Sequence, residues 1–155
     1  MIKKNTLIIC ASVHRGNTIK IAEVIGEVLN AKIIEPKNLD IESFSNYDLV
    51  GFGSGIYNRK HHKSLFNFVS NLNDQNNKKA FVFSTSTIPL ETTHKSLKVS
   101  LIDKNFQIIG DFYCKGFMNH SFAKYIFGGL NKGRPNDKDI INAQDFARKI
   151  NTILN

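Results

Sequence analysis

The chain has 155 residues, 41% of them hydrophobic, and a formal net charge of +8 at pH 7. That length suits one domain with a real core, and the apolar share disfavours disorder. No apolar run approaches the roughly 20 residues needed to cross a bilayer. Met1-Ile2-Lys3-Lys4-Asn5 leads straight into an apolar run without a signal-peptide core, so the chain reads as cytoplasmic.

Residues 6–11 read as a buried strand. It breaks into Ser12-Val13-His14-Arg15-Gly16-Asn17-Thr18, and a helix over 17–29 follows, with Ile21, Val24, Ile25, Val28 and Leu29 on one face. A strand ending in hydroxyls, a glycine and an asparagine at a helix start suits a phosphate. Helix N-termini present unpaired N–H groups and partial positive charge. An ordinary helix cap is the plainer alternative. The loop is neither GxGxxG nor GxxxxGK[ST], which argues against the dinucleotide and nucleoside-triphosphate sites.

A short second strand covers 32–35 and ends at Pro36, and 37–47 is a polar connection of unassigned structure. The third strand, 49–53, is apolar throughout, as a central parallel strand is. Helices follow over 62–72 and 91–103, with a strand over 80–83 between them. A fifth strand spans 106–113. The last helix spans 138–154, capped by Asn136 or Asp137. The stretch 114–136 is glycine-spotted, basic and too long for a plain connection, so it reads as a functional loop or cover. Strands alternating with helices from end to end predict one α/β domain over 1–155, a parallel sheet with helices on both faces.

In such a sheet ligands bind beyond the carboxyl ends of the strands. After the third strand comes Gly53-Ser54-Gly55-Ile56-Tyr57-Asn58, after the fourth Ser84-Thr85-Ser86-Thr87, and after the fifth Cys114-Lys115-Gly116-Phe117. Together with the first loop they offer a phosphate site, an aromatic plate and two polar edges on one rim. A phosphorylated planar heterocycle fits that set.

Other chemistries find less support. Cys10 and Cys114 are too few and too far apart for a zinc site, and read as buried free thiols. No histidine–carboxylate set has metal-ligand spacing, and no Ser-His-Asp arrangement is legible. His61 and His62 read as a helix start that touches substrate or solvent, while His94 and His120 read as surface or packing residues. Basic residues gather on mouth loops: Arg59, Lys60 and Lys63 in one acid-free stretch, Lys115, Lys124, Lys132 and Arg134 in another. The pI near 9.5 admits a nucleic-acid or regulatory binding module, but no RNP, helix-turn-helix or GXXG signature accompanies it.

The chain resembles the flavodoxin-like proteins, most closely the short single-domain flavodoxins of anaerobic bacteria and archaea. SVHRGNT at 12–18, GSGIYNRKHHKSL at 53–65, FSTST at 83–87, CKGF at 114–117 and GGLNKGRPNDKD at 128–139 carry the resemblance, which covers nearly the whole chain. It implies a three-layer α/β/α sandwich, a five-stranded parallel sheet in the order 2-1-3-4-5, and non-covalent FMN. Ser12, His14, Arg15, Gly16, Asn17 and Thr18 would hold the phosphate. Ser54, Gly55, Ile56, Tyr57 and Asn58 would line the ring near N5, Ser84, Thr85, Ser86 and Thr87 its pyrimidine or ribityl side, and Cys114 and Gly116 its far edge.

Two functions follow from the resemblance. One is an electron carrier docking an acidic partner, such as a ferredoxin-like protein or a reductase. The other is a small FMN oxidoreductase, akin to quinone or NAD(P)H reductases or protoporphyrinogen oxidases, with an anionic substrate. The family's carriers are typically acidic and often place tryptophan on the flavin, whereas this chain is basic and has none. A carbonyl of the Gly55–Ile56 region would swing to meet a proton on N5. Arg15, Arg59, Lys60, Lys63 and Lys115 would favour the anion of reduced flavin. A unit charge about 8 Å away is worth on the order of 2 kcal/mol at an effective dielectric near 20.

Overall fold

The computed structural model describes residues 4–12, 16–117 and 131–155. Strands β1 (Thr6–Ala11), β2 (Lys32–Ile34), β3 (Leu49–Tyr57), β5 (Lys79–Ser86) and β6 (Gln107–Lys115) form a parallel sheet in the order β2-β1-β3-β5-β6. Helices α1 (Asn17–Leu29), α2 (Lys63–Ser70), α3 (Lys95–Asp103) and α4 (Asp137–Leu154) flank it. This is the expected α/β/α sandwich and strand order, with one strand more.

The extra strand is β4 (Lys60–His61), which folds back antiparallel on the end of β3, pairing Ile56 with His61 and Tyr57 with Lys60. Asn58 and Arg59 make the turn, with φ of 49° and 63°. Two left-handed residues in succession are what a two-residue hairpin requires, because that turn matches the strand twist. β3 therefore runs four residues beyond the expected 49–53, and the loop expected after it is a hairpin.

Alternation along the strands sorts the core into two halves. Leu7, Ile9, Val50, Phe52, Ala80 and Val82 pack with Leu65, Phe68 and Val69 of α2 and Leu97 and Leu101 of α3. Ile8, Cys10, Phe81 and Phe83 pack on the other face, with Ile21, Ala22 and Ile25 of α1 and Ala143, Ala147 and Ile150 of α4. Phe83 lies across β3, where a Cβ on its register partner Gly53 would sit 2.1 Å from the ring. That glycine is what lets the aromatic side chain close the core.

The remaining boundaries differ modestly. β5 and β6 extend past the expected 80–83 and 106–113, so Ser84, Thr85, Ser86 and Cys114 are strand residues, not loop. The residues expected to open the 91–103 helix form a 3-10 turn, Glu91–His94, before α3. α2 starts at Lys63 because His62 caps it, its Nδ1 accepting from the Ser64 N–H at 3.2 Å. α4 starts with a capping box between Asn136 and Asp139. No described helix is long and apolar enough to cross a membrane.

Candidate functional site

The sheet order reverses direction between β1 and β3, and the rim beyond their carboxyl ends is where an open α/β sheet leaves a crevice. On the β1 side, Gly16 caps α1 at φ 66°, and a Cβ there would meet Ile19 Cγ2 at 2.9 Å. Only glycine adopts that conformation cheaply. The first intrahelical bond runs from Lys20 N to Gly16 O at 3.1 Å, and the Ile19 N–H donates to Ser12 Oγ at 3.3 Å. The N–H groups of Asn17 and Thr18 precede that ladder, which is the geometry that receives an anion. His14 and Arg15 lie outside the described residues.

Side chains of this turn reach across the rim. Asn17 Nδ2 donates to Phe117 O at 2.7 Å, and Thr18 Oγ1 shares a buried hydrogen bond of 2.8 Å with Thr85 Oγ1. Gly116 fits against both: a Cβ would sit 3.1 Å from Asn17 Nδ2 and 3.2 Å from Thr85 Cβ. The expected loops after β1, β5 and β6 are thus brought together. Sequence reasoning missed Asn131, whose Nδ2 donates to Thr87 O at 2.9 Å and to Gly116 O at 3.3 Å, joining the two loops. It lies in the 128–139 segment, of which 128–130 fall outside the described residues, as does the rest of 118–130 with His120 and Lys124.

On the β3 side stand Gly55, Ile56 and half-buried Tyr57. The Tyr57 ring meets His62 edge-on at 5.5 Å, and burial raises its hydroxyl pKa above the usual value. Asn58 is exposed at the hairpin tip. Gly55 and Ile56 are ladder residues, in register with Thr85 and His61. The Gly55 carbonyl accepts from the Ser54 hydroxyl at 2.7 Å, so the swing expected from sequence has that bond to break.

Several expected contacts point away from the rim. Cys114 packs in the α1/α4 core, its thiol pushed up to about 12 by burial first and by Asp139 next. Cys10 is likewise pushed up to about 12, chiefly by burial. Ser54 and Ser84 are fully buried on the α2/α3 side. Ser86 is different: its Oγ is buried at the end of β5 with no hydrogen-bond partner among the described residues. Such an atom is costly unless a ligand or water meets it.

The buried serines belong to a cluster that the sequence did not reveal. Ser84 Oγ lies 2.6 Å from His94 Nε2, and His94 Nδ1 lies 3.3 Å from Asp111 Oδ2, which Lys98 Nζ meets at 2.5 Å. A Ser-His-Asp chain therefore exists, but Ser84 and His94 have no exposed surface. With no access for an acyl substrate, it is structural wiring, not a hydrolytic centre. His94 packs at 4.9 Å on His61, itself only 3% exposed. His61 is therefore not the helix-start residue expected, while His94 is the packing residue of the two alternatives read from sequence. The signal available was β4 itself, since a hairpin buries every second residue.

An open groove of about 390 Å³ lies between the hairpin tip and the start of α3, lined by Arg59, Lys60, Thr92, Lys95, Ser96 and Val99. Among the described residues, no group of three or more His, Cys, Asp or Glu is arranged to hold a metal ion.

A doubly wound sheet with a glycine-capped helix start at its switch point and a hairpin carrying a tyrosine at the end of β3 defines a flavodoxin-type protein. The chain belongs to the flavodoxin domain family, whose model matches residues 7–129. It is 47% identical over 146 residues to the uncharacterized protein MJ0298 of Methanocaldococcus jannaschii, covering 93% of this chain and 96% of that one. Among solved structures it resembles oxidised Flavodoxin 2 from Bacillus cereus, with a TM-score of 0.72, 18% identity, and 96% and 98% of the two chains covered. A flavodoxin from the domain Archaea gives a TM-score of 0.67 at 14% identity over 95% and 99%. The Trp repressor binding protein from Bacillus subtilis gives 0.70 at 15% over 92% and 97%. These structural likenesses establish the fold alone.

Proposed function

We propose that this chain binds FMN non-covalently on the rim between β1 and β3 and transfers electrons through it. The observation that carries this is that the glycine-capped start of α1 follows β1 and the β3–β4 hairpin follows β3, the two strands that flank the switch point. The residues present fit the cofactor. Ser12, Gly16, Asn17 and Thr18, with His14 and Arg15, would hold the phosphate, and Ile56 and Tyr57 would face the ring. Thr85, Ser86 and Gly116 would close the other edge, where the orphaned Ser86 hydroxyl calls for a partner. Bound FMN supplies one- and two-electron chemistry, and the protein sets its orientation and electrostatics. Two free thiols, both buried, suit a reducing compartment such as the cytoplasm.

The cationic groove supports an anionic partner. Arg59 and Lys60 stand two and three residues beyond Tyr57, and Lys95 faces them across the groove. An acidic electron-transfer protein would be steered there. The concavity of the groove also favours a second reading, a small oxidoreductase whose anionic substrate sits beside the flavin.

The test is direct. The protein is purified without added cofactor, its visible absorption recorded, and the measurement repeated after adding FMN and desalting. A retained flavin spectrum, released as FMN on denaturation, supports the reading. A colourless protein that fails to hold added FMN overturns it.

A further inference from the structure

We propose that Ser54, His61, His94 and Ser84 form a buried positioning network that holds the β3–β4 hairpin, and with it Ile56 and Tyr57, in one fixed attitude at the rim. Its consequence for the cofactor rests on the FMN reading, but the network itself does not.

Ser54 Oγ is the anchor. It lies 2.7 Å from Gly55 O, receives the His62 N–H at 2.9 Å, and lies 2.9 Å from His61 Nδ1. A serine hydroxyl has one proton and two acceptor sites. Its proton goes to the Gly55 carbonyl, the only one of the three partners that cannot donate. Both other partners must then donate, which fixes His61 as the Nδ1–H tautomer. One side chain thus spans both strands of the hairpin at its root. The tip is closed by Asn58 and Arg59, both left-handed. An arginine in that conformation is strained, and such strain persists where the surroundings impose it.

The His61 ring cannot yield sideways, because it packs at 4.9 Å on His94. His94 is gripped at both nitrogens, by Ser84 from β5 and by Asp111 from β6, and Lys98 of α3 holds Asp111. The hairpin is therefore tied through two imidazoles to the two neighbouring strands and a helix. Burial keeps His61 neutral, with the proximity of His94 acting in the same direction. His61 Nε2 has no partner among the described residues. An apolar side chain would fill this space without that cost, so packing alone does not account for a histidine here.

A fixed hairpin presents the same backbone to oxidised and reduced flavin. A loosened one adapts to each, and the two affinities change unequally. The experiment compares wild type with Ser54→Ala and Ser84→Ala, the latter cutting the network on β5 while leaving every hairpin residue in place. In flavin-free protein, amide hydrogen exchange of His62 is expected to quicken at least tenfold in Ser54→Ala, with Val82 unchanged. In FMN-loaded protein, each variant is expected to change the ratio of affinities for oxidised and reduced FMN. A tenfold change in Ser54→Ala appears as about 30 mV in the two-electron midpoint. Unchanged His62 exchange overturns the network. Quickened exchange with an unchanged midpoint in both variants reduces it to a stability element and overturns the positioning role. Wild type that holds no FMN refutes the flavin reading instead, and the exchange measurement still decides the network.

Discussion

Acid should unfold this protein through its buried histidine pair. His61 is depressed from 6.5 to about 3, by burial first and by His94 second, and His94 is lowered by burial against the opposing pull of Asp111. In the unfolded chain both take up protons near pH 6.5. In the folded chain His61 stays neutral until about pH 3. The unfolded state therefore binds more protons across that window, and stability, fully present above pH 6.5, falls as pH falls toward 3. One proton over about 3.5 pH units amounts to on the order of 5 kcal/mol, and about 2 kcal/mol is lost by pH 5. The groups facing His61 are His94 across the ring contact, with Asp111, Lys98 and Tyr113 behind it, and Lys60 and His62 on its own hairpin. The perturbation is His61→Phe, and the assay is urea unfolding from pH 7.5 to 4.5. At pH 7 the lost Ser54 bond, about 1 kcal/mol, is offset by removal of the unpartnered Nε2, so the two proteins should be similar in stability. By pH 5 the variant should be the more stable by about 2 kcal/mol, because it lacks the titrating group. Parallel pH profiles for the two proteins would refute the reasoning.

Gly16→Ala should cost about 1–2 kcal/mol in thermal or urea unfolding, because φ 66° is left-handed and the new Cβ meets Ile19. FMN affinity should fall with it. Gly53→Ala places a methyl 2.1 Å from the Phe83 ring and should cost at least about 3 kcal/mol or abolish folding, read by urea midpoint and expression. Arg134→Ala leaves Asp139, 4% exposed, without its 2.6 Å partner, and should cost about 3 kcal/mol, most of it recovered by adding Asp139→Asn. In flavin-loaded, reduced protein, oxidation by ferricyanide should outpace oxidation by a cationic cobalt complex. Salt, or Arg59→Glu with Lys60→Glu and Lys95→Glu, should erase that preference.

The sequence exposed what depends on local rules. The buried run 6–11, the glycine before Asn17 and the 3.6-residue stripe of Ile21 and Ile25 each specify their element alone, and α1 falls on its expected bounds. The strand ends were harder. Ser54 and Gly55 look like turn residues, yet β3 continues through them because β5 supplies a ladder as far as Thr85. The two histidines could not be placed from spacing, since His61 and His94 meet only after the crossover through α2 returns as β5. The hydroxyl run Ser84-Thr85-Ser86 reads as one polar edge in sequence. As a strand it divides by parity: Ser84 turns to His94 and Thr85 to Thr18.

The same distinction between counted and available groups applies to charge. Lys98 and Arg134 contribute to the net charge of +8, but Asp111 and Asp139 hold them. Arg134 thus adds less to the positive surface than its count implies. Arg59, Lys60 and Lys95 stand instead around one groove, two of them on a hairpin whose turn is fixed and whose root is buried. Cations on ordered backbone lose less entropy on meeting an anion than cations on a mobile loop. On the proposed reading, the hairpin that orients Tyr57 would also set the recognition charges, and a partner drawn to those charges would arrive beside the rim. Position along the fold, more than total charge, determines where such a partner would dock.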